Sequence, residues 1–226
     1  MHLILASASP RRAELLRSAG YEFEIHAVDI DERSKPGEPP AEYVERLAKE
    51  KSSRALSDVV SGFPPPPKAT ARLAEMPYGR EGGSRTVSQA VEDGVVLGAD
   101  TAVVVGETIL GKPHDAEDAA RMLRRLSGRS HQVMTGVCLQ TTQRSVSHVE
   151  ISSVTFAPLT EDQIAWYVAS GEGLDKAGGY AIQGLASRFI PRIDGSYSNV
   201  VGLPIAVVSD LLSRLRNLRS VLASGE

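Results

Sequence analysis

The 226-residue sequence has one cysteine and no long apolar stretch. Because Cys138 is the single cysteine, an internal disulfide and a zinc finger are excluded, and its apolar surroundings predict a buried thiol. At the start of the chain the apolar residues 3–6 run directly into Arg11 and Arg12, so neither a signal peptide nor a membrane span is predicted. We therefore expect a cytoplasmic protein with no membrane partner.

A surplus of basic residues is also absent. The 25 lysines and arginines are outnumbered by 28 aspartates and glutamates, which gives a formal net charge of -3. A general nucleic-acid binder needs a basic surplus to neutralise phosphates, so no nucleic-acid partner is expected. The 42% hydrophobic and 23% charged residues are ordinary for a globular protein, and the length suits a single domain spanning residues 1–226.

Several common site motifs are missing as well. The sequence contains no GxSxG, HExxH, EF-hand or GxGxxG pattern, and its five histidines show no metal-ligand spacing. Residues 106–112 match the GxxxxGK beginning of a phosphate-binding P-loop, but Pro113 stands where that motif needs serine or threonine. The segment also follows a predicted hairpin turn and does not lead from a strand into a helix. We therefore reject the P-loop and keep Lys112 as a candidate phosphate contact.

Strand and helix patterns in the rest of the chain predict an α/β fold with a mixed sheet. The predicted strands are 2–6, 21–28, 95–105, 131–141, 146–156 and 189–193, and a turn at 106–107 predicts a short hairpin after the third. The predicted helices are 10–19, 41–56, one from the cap Asp115 to about 126, one from the capping box 160–163 to about 171, and one beginning at 204. Ser9 is the predicted N-cap of the first helix, and Gly20 its C-terminal cap.

Residues 58–94 interrupt this pattern. They contain four consecutive prolines at 64–67 and glycines at 79, 82 and 83, which one regular element cannot accommodate. We predict a Pro/Gly-rich inserted loop that is partly disordered, with room for a short helix within 69–75. The tetraproline could instead be a polyproline II ligand that makes the chain a scaffold, although one PxxP match inside four prolines is weak support.

The segment Ser7–Arg12 joins a predicted strand to the first helix. Free N–H groups at a helix N-terminus attract anions, and two adjacent arginines add donors that suit phosphate oxygens. The alternative is an ordinary capped helix with two solvated arginines. Lys51, on the apolar side of its helix, and Lys112 could complete a cationic pocket for a polyanionic substrate, although such lysines often only extend to solvent.

Asp100 lies within the apolar run 95–105, with Thr101 as its one polar neighbour. A buried carboxylate is costly unless it is paired, hydrogen-bonded or bound to a cation, and this favours a functional role. A Mg²⁺ ion would offset that cost, because it combines one or two carboxylates with substrate phosphates. The alternative is a strand break at Gly98 that exposes the acid. Glu32, in the acidic segment 29–32, is the second candidate carboxylate, unless that segment is a solvated turn.

Ten short motifs occur in an order that resembles the Maf family of nucleotide pyrophosphatases. They are LASASPRR at 5–12, RLAKEK at 46–51, LGADT at 97–101, GKP at 111–113, MLRRLSG at 122–128, HQVMT at 131–135, DKAG at 175–178, YAIQG at 180–184, DGSY at 194–197 and VGLP at 201–204. The resemblance covers nearly the whole chain except about 58–94. It implies an elongated mixed sheet flanked by helices with a substrate cleft, related to inosine triphosphate pyrophosphatases.

The resemblance also implies an activity: hydrolysis of a nucleoside triphosphate to the monophosphate and pyrophosphate, dependent on Mg²⁺ or another divalent cation such as Mn²⁺, in a house-cleaning role. It implies a homodimer. The family's general base falls on Asp100, and its acidic metal-site residues fall on Glu32 and Asp100. Whether Asp100 is the base, a metal ligand or both stays open. Its phosphate contacts fall on Ser7, Arg11, Arg12, Lys51 and Lys112.

Specificity in the family differs between branches. Arg12, Thr101 and Gln183 match the dTTP/UTP branch, and the Gln183 amide can pair with a uracil-type edge that presents both donors and acceptors. CTP or a modified pyrimidine nucleotide are further candidate substrates. The alternatives are the sister branch that acts on 7-methyl-GTP, and a non-catalytic nucleotide-binding protein linked to cell division.

Overall fold

The computed structural model describes residues 2–63 and 94–223. Most of the predicted insertion, residues 64–93, and the short helix that would fit within 69–75 lie outside the described residues. In the two described ranges, no helix combines the length and the hydropathy needed to cross a membrane.

Strands and helices alternate through the described residues, as the sequence predicts. The strands are β1 (His2–Leu5), β2 (Phe23–Ile25), β3 (Gly94–Val105), β4 (Thr108–Leu110), β5 (Ser130–Gln140), β6 (Ser145–Thr155) and β7 (Arg192–Asp194). The helices are α1 (Pro10–Ser18), α2 (Pro40–Val60), α3 (Ala116–Leu126), α4 (Glu161–Ala169), α5 (Tyr197–Val201) and α6 (Ile205–Ala223). Two short 3₁₀ turns, Ala177–Gly179 and Leu185–Phe189, lie between α4 and β7.

The strands form one mixed sheet in the order β2-β1-β3-β5-β6-β7, with β4 also paired to β3. β1 runs parallel to both β2 and β3, while the remaining pairs are antiparallel. The fold is therefore α/β with a mixed sheet flanked by helices, which confirms the predicted class.

A gap in this sheet determines where chemistry is possible. β1 pairs with β3 as far as Leu97, and β4 resumes pairing on β3 at Val103. Within the described ranges, residues 98–102 of β3 therefore have no strand neighbour along that edge. β3 itself is continuous, so the strand break considered at Gly98 does not occur. Asp100 is reached from the side because its neighbouring strands end.

Helix α2 lies directly on the sheet, and two glycines make this possible. A Cβ atom at Gly98 would collide with the backbone carbonyl of Ala48, and one at Gly136 would collide with the backbone of Val44. Glycine at these two positions of β3 and β5 lets the helix backbone pack against the strands without intervening side chains. The close approach brings Lys51 of α2 over Asp100 of β3.

The apolar faces predicted for the helices form the core. The opposite face of the sheet carries α1 and α6, whose Leu16 and Leu212 pack with Leu97 and Leu139. A second core lies beneath α3 and α4 at the other end of the sheet. The predicted apolar positions of α2 and α3 are all buried, namely Val44, Leu47, Ala48, Lys51, Ala55, Ala119, Met122, Leu123 and Leu126. Cys138 is buried and free, as predicted.

Several predicted boundaries need correction. α2 continues to Val60 beyond the predicted end at 56, so the interruption of the regular pattern begins after residue 60 and not at 58. β2 covers Phe23–Ile25 of the predicted 21–28, because pairing with β1 stops where β1 ends. The strand predicted at 189–193 is shifted: residues 192 and 193 belong to β7 (Arg192–Asp194), whereas Phe189 closes a 3₁₀ turn. The short helix α5 was not predicted.

The helix caps were predicted with mixed success. Asp115 and Thr160 cap α3 and α4 through their side chains, and the predicted capping box at α4 has both of its bonds. Ser9 occupies the N-cap position of α1, but its side chain makes no capping bond. Its own N–H donates instead to Oγ of Ser7, which draws Ser7 toward the helix N-terminus.

Candidate active site

A cleft of about 620 Å³ opens at the gap in the sheet. Several parts of the chain line it: the loop from β1 into α1, the segment after β2 that carries Glu32, helix α2, the exposed edge of β3, the residues after β4, and two C-terminal segments around 175–183 and 200–202. All the site residues predicted from the sequence lie on this cleft, namely Ser7, Arg11, Arg12, Glu32, Lys51, Asp100, Thr101, Lys112 and Gln183. Folding thus brings together residues that are far apart in the sequence: Ser7 and Gln183 are separated by 176 positions.

The floor of the cleft holds an ammonium group between two carboxylates. Nζ of Lys51 lies 2.7 Å from Oδ1 of Asp100 and 2.5 Å from Oε1 of Glu32. Lys51 and Asp100 are 7% and 8% exposed, whereas half of the Glu32 side chain is exposed. The predicted cost of burying Asp100 is therefore offset by an ion pair, with Glu32 turned toward the open cleft.

The environment of Glu32 favours its charged form. Burial by itself would raise the Glu32 pKa, but the Lys51 ammonium, together with Lys112 and Arg12, outweighs burial and lowers it. Tyr43 donates a hydrogen bond to the backbone carbonyl of Glu32 at 2.9 Å and so fixes the loop that carries this acid. Burial, with the nearby charge of Asp100, raises the Tyr43 pKa to about 12, so its hydroxyl stays protonated. Tyr43 was not identified from the sequence.

The mouth of the cleft carries positive charge beside the N-terminus of α1. Arg11 and Lys112 both line it, and no hydrogen bond from either side chain occurs within residues 2–63 and 94–223. Lys112 follows β4, a strand in an antiparallel hairpin with β3, so the rejected P-loop is absent from this segment. Arg11, Lys112 and the helix N-terminus can therefore receive phosphate oxygens.

Arg12 differs from its neighbour Arg11 because its guanidinium is buried and bonded. Its Nε donates to the carbonyl of Gly202 at 2.8 Å, and its Nη1 donates to the carbonyl of Ala99 at 2.8 Å and to Oγ of Ser7 at 3.1 Å. Nη2 donates to Oγ1 of Thr101 at 3.1 Å. Four of the five guanidinium N–H groups are thus used within the protein. Arg12 ties α1, β3 and the α5–α6 turn together and leaves at most one donor for a ligand.

Two further residues extend this network behind the cleft. Oγ1 of Thr101 lies 3.0 Å from Oγ1 of Thr135 on the neighbouring strand, and Thr135 donates to the carbonyl of Asn199 at 3.3 Å. The amide nitrogen of Asn199 donates to the carbonyl of Val133 and to Oγ of Ser152. Arg12 and Thr101, two of the predicted specificity residues, therefore belong to one buried polar network. Thr135 lies in the HQVMT motif, but Asn199 was missed.

Another buried pair stands on the opposite side of the cleft. Nε2 of His131 lies 2.8 Å from Oη of Tyr180, a residue that lines the cleft. Burial lowers the His131 pKa to about 4 and raises the Tyr180 pKa. Both groups are therefore neutral near pH 7, and we call this part of the cleft its uncharged side, although the Asp175–Lys176 ion pair nearby in the sequence also lines the cleft. Gln183, the third predicted specificity residue, is exposed on the same side.

The chain matches a family model and many curated sequences. The model described as "Maf-like protein" matches residues 2–215. A protein of Anaeromyxobacter dehalogenans (strain 2CP-C) named dTTP/UTP pyrophosphatase is 44% identical over 216 residues, which cover 94% of this chain and 93% of that protein. Proteins of the same name from Shigella sonnei (strain Ss046) and Escherichia coli O6:K15:H31 are 44% and 43% identical over 217 residues, which cover 96% of this chain and 94% of each of them.

Proposed function

The chain belongs to the Maf family, and from that premise we propose that it is a nucleoside triphosphate pyrophosphatase acting on dTTP and UTP. It releases the monophosphate and pyrophosphate. The observation that carries this proposal is the Lys51–Asp100–Glu32 cluster at the gap in the sheet, beside a helix N-terminus with unengaged cationic side chains. An acid held next to a polyanion site is the arrangement that phosphoanhydride hydrolysis requires.

Binding of the triphosphate is assigned to the cationic mouth of the cleft. Arg11, Lys112 and the N-terminus of α1 would contact the phosphate oxygens, with Ser7 at the end of β1. Lys51 is engaged with two carboxylates, so it places positive charge beneath the phosphates without leaving its partners. Arg12 would act mainly by holding Ser7 and Thr101 in place, and it keeps one donor for the substrate.

A divalent cation fits this arrangement. Glu32 and Asp100 already share one positive charge, the Lys51 ammonium, so two carboxylates converge at the cleft floor. No group of three or more metal-ligating acids, histidines or cysteines occurs in the described residues. Magnesium needs few protein ligands, because it takes one or two carboxylates and completes its shell with substrate phosphates and water. Glu32 and Asp100 would hold Mg²⁺ or Mn²⁺, and the bound ion would supply neutralisation of the triphosphate charge.

Asp100 is the residue that we assign to the proton transfer. Its carboxylate would accept a proton from a water molecule as the water oxygen bonds to the α-phosphorus. The bond between the α-phosphorus and the bridging oxygen breaks in line with that attack, and pyrophosphate leaves with the electron pair. Arg11 and Lys112 would stabilise the charge that develops on this leaving group.

Selection of the base is assigned to the uncharged side of the cleft. Gln183 carries an amide that both donates and accepts, as a uracil or thymine edge requires. Thr101 and Arg12 fix the adjoining surface through their shared network. CTP and modified pyrimidine nucleotides remain candidate substrates. The homodimer, the cytoplasmic location, the house-cleaning role and the single domain with an insertion remain predictions.

The experiment is a substrate panel on the purified chain with Mg²⁺. It scores pyrophosphate release from UTP, dTTP, CTP, modified pyrimidine triphosphates, GTP and 7-methyl-GTP, and we expect kcat/KM to be highest for UTP and dTTP. A preference for 7-methyl-GTP would place the chain in the sister branch. Tight nucleotide binding without turnover of any triphosphate would instead support the non-catalytic nucleotide-binding alternative.

A further inference from the structure

Residues 181–185, here called the wall segment, run from just after the first 3₁₀ turn to the first residue of the second, on the uncharged side of the cleft. Ala181, Ile182 and Gln183 of this segment line the cleft. Gln183 is exposed, so the placement of its side chain depends on the backbone that carries it. The question is what holds that backbone in place.

Two residues outside the segment hold both of its ends. Oη of Tyr167, on α4, accepts the N–H of Ala181 at 3.1 Å. Oε1 of Glu172 accepts the N–H of Leu185 at 3.0 Å. The two side chains are joined to each other, because the Tyr167 hydroxyl donates to Oε2 of Glu172 at 2.9 Å. One connected pair therefore fixes the first and last amides of a five-residue segment, with Gln183 at its centre.

Burial and a stable proton keep the Tyr167–Glu172 pair in a fixed position. Tyr167 is among the largest fully buried side chains, packed in the core beneath α3 and α4. Burial, and secondarily the bond to Glu172, raises the Tyr167 pKa, so the hydroxyl keeps the proton that it donates. Gly184 completes the contact: a Cβ atom there would collide with the Glu172 carboxylate, while its φ of -116° is open to any residue. A side chain at 184 would thus displace Glu172 without straining the backbone.

We propose that Tyr167 and Glu172 are positioning residues for base recognition, which hold the wall segment so that Gln183 meets the pyrimidine edge. This inference rests on the proposed pyrimidine triphosphate pyrophosphatase activity. Neither residue contacts the reacting phosphates, so their loss alters discrimination between bases more than turnover at saturation. Binding groups that are held in a fixed geometry lose less entropy when they contact a ligand. Loosening the wall segment therefore weakens binding of the correct base more than binding of other bases.

The test compares kcat/KM for UTP with kcat/KM for GTP in Tyr167→Phe and Gly184→Ala. Tyr167→Phe removes the shared hydroxyl and keeps the ring. Gly184→Ala adds a methyl group that displaces the Glu172 carboxylate, and it leaves the core intact. We expect each to lower the UTP-to-GTP ratio about five- to tenfold, the size of one or two lost hydrogen bonds, mainly through KM for UTP. Tyr21→Phe, at a tyrosine outside the cleft, is the matched control and keeps the wild-type ratio.

Two additional measurements separate positioning from general stability. Hydrogen exchange followed by NMR should speed up at the amides of Ala181 and Leu185 in both variants. In a Gln183→Ala background, Tyr167→Phe should leave the UTP-to-GTP ratio unchanged, because its effect passes through Gln183. Faster exchange with a wild-type ratio in Tyr167→Phe and Gly184→Ala would overturn the inference. Failure of the proposed function is visible earlier, as a wild-type protein that releases no pyrophosphate or shows no preference for UTP.

Discussion

At the charged end of the cleft, the Lys51 ammonium contacts the side chains of Asp100 and Glu32, whereas the wall segment 181–185 is held through its backbone amides. The charged end uses groups that act on any triphosphate, because all nucleotides carry the same phosphates. The wall segment presents neutral groups, and how well these groups match a nucleotide depends on its base. The difference predicts that changes at the charged end lower turnover of all nucleotides, and that changes at the wall shift the preference among them.

Asp100→Asn should have the largest effect. The amide cannot accept the proton from the attacking water, so we expect kcat to fall about 10³-fold for pyrimidine and purine triphosphates alike. Steady-state pyrophosphate release measures this fall. Asp210→Asn, which removes an exposed acid of α6 paired with Arg214, is the control and should keep full activity. Near-normal release from UTP by Asp100→Asn would remove the assigned role.

Lys51→Met should destabilise the charged end itself. Removing the ammonium leaves the buried Asp100 carboxylate without its partner, which costs about 3 kcal/mol of unfolding free energy in urea titrations. The double variant Lys51→Met with Asp100→Asn should recover part of that loss, because the uncompensated charge is gone. Lys49→Met, in the exposed pair with Glu45 on the same helix, should change stability by less than about 0.5 kcal/mol. Equal losses at 49 and 51 would contradict this account.

Adjacent arginines should respond differently. Arg11→Gln removes an unengaged phosphate donor, so KM for every triphosphate should rise about tenfold with no change in unfolding free energy. Arg12→Gln breaks four internal hydrogen bonds and should lower the unfolding free energy by about 2 kcal/mol. Each variant is the control for the other. A stable Arg12→Gln protein with an unchanged UTP-to-GTP ratio would show that the network behind the cleft is dispensable.

The effect that is smallest near neutral pH concerns His131, on the uncharged side. His131 has a folded-state pKa of about 4, below its ordinary value of 6.5, so the unfolded chain binds its proton first as pH falls. As the pH is lowered from 6.5 to about 4, this histidine therefore reduces the free energy of unfolding by about 1 kcal/mol per pH unit. Above pH 6.5 it has no such effect. Chemical unfolding across that range should show a shallower slope in His131→Phe than in the wild type. His148→Asn, at a half-exposed histidine of β6, is the matched control.

The charged end could be found from the sequence because its signals are local. An acid inside the apolar run of β3, two arginines at a helix N-terminus and a lysine on the apolar face of α2 each break a pattern that is visible in a short window. What could not be seen is their arrangement. That Asp100 opens to the cleft follows from where β1 and β4 stop pairing, and strand pairing is a property of the whole sheet.

The uncharged side was found only in part, for the same physical reason. Gln183 was identified through its motif, but the bonds that hold it join Ala181 to Tyr167 and Leu185 to Glu172, and neither partner breaks a local pattern. The strand predicted at 189–193 was also misplaced there, because Phe189 ends a 3₁₀ turn and β7 begins at Arg192. Residues that act through the backbone of others leave little trace in one sequence.

The most direct test of the central claim is to hydrolyse UTP in water enriched in ¹⁸O and locate the label by mass spectrometry. Attack at the α-phosphorus, with water positioned by Asp100, predicts one ¹⁸O atom in the monophosphate and none in pyrophosphate. Label in pyrophosphate, or products that are the diphosphate and inorganic phosphate, would contradict the account.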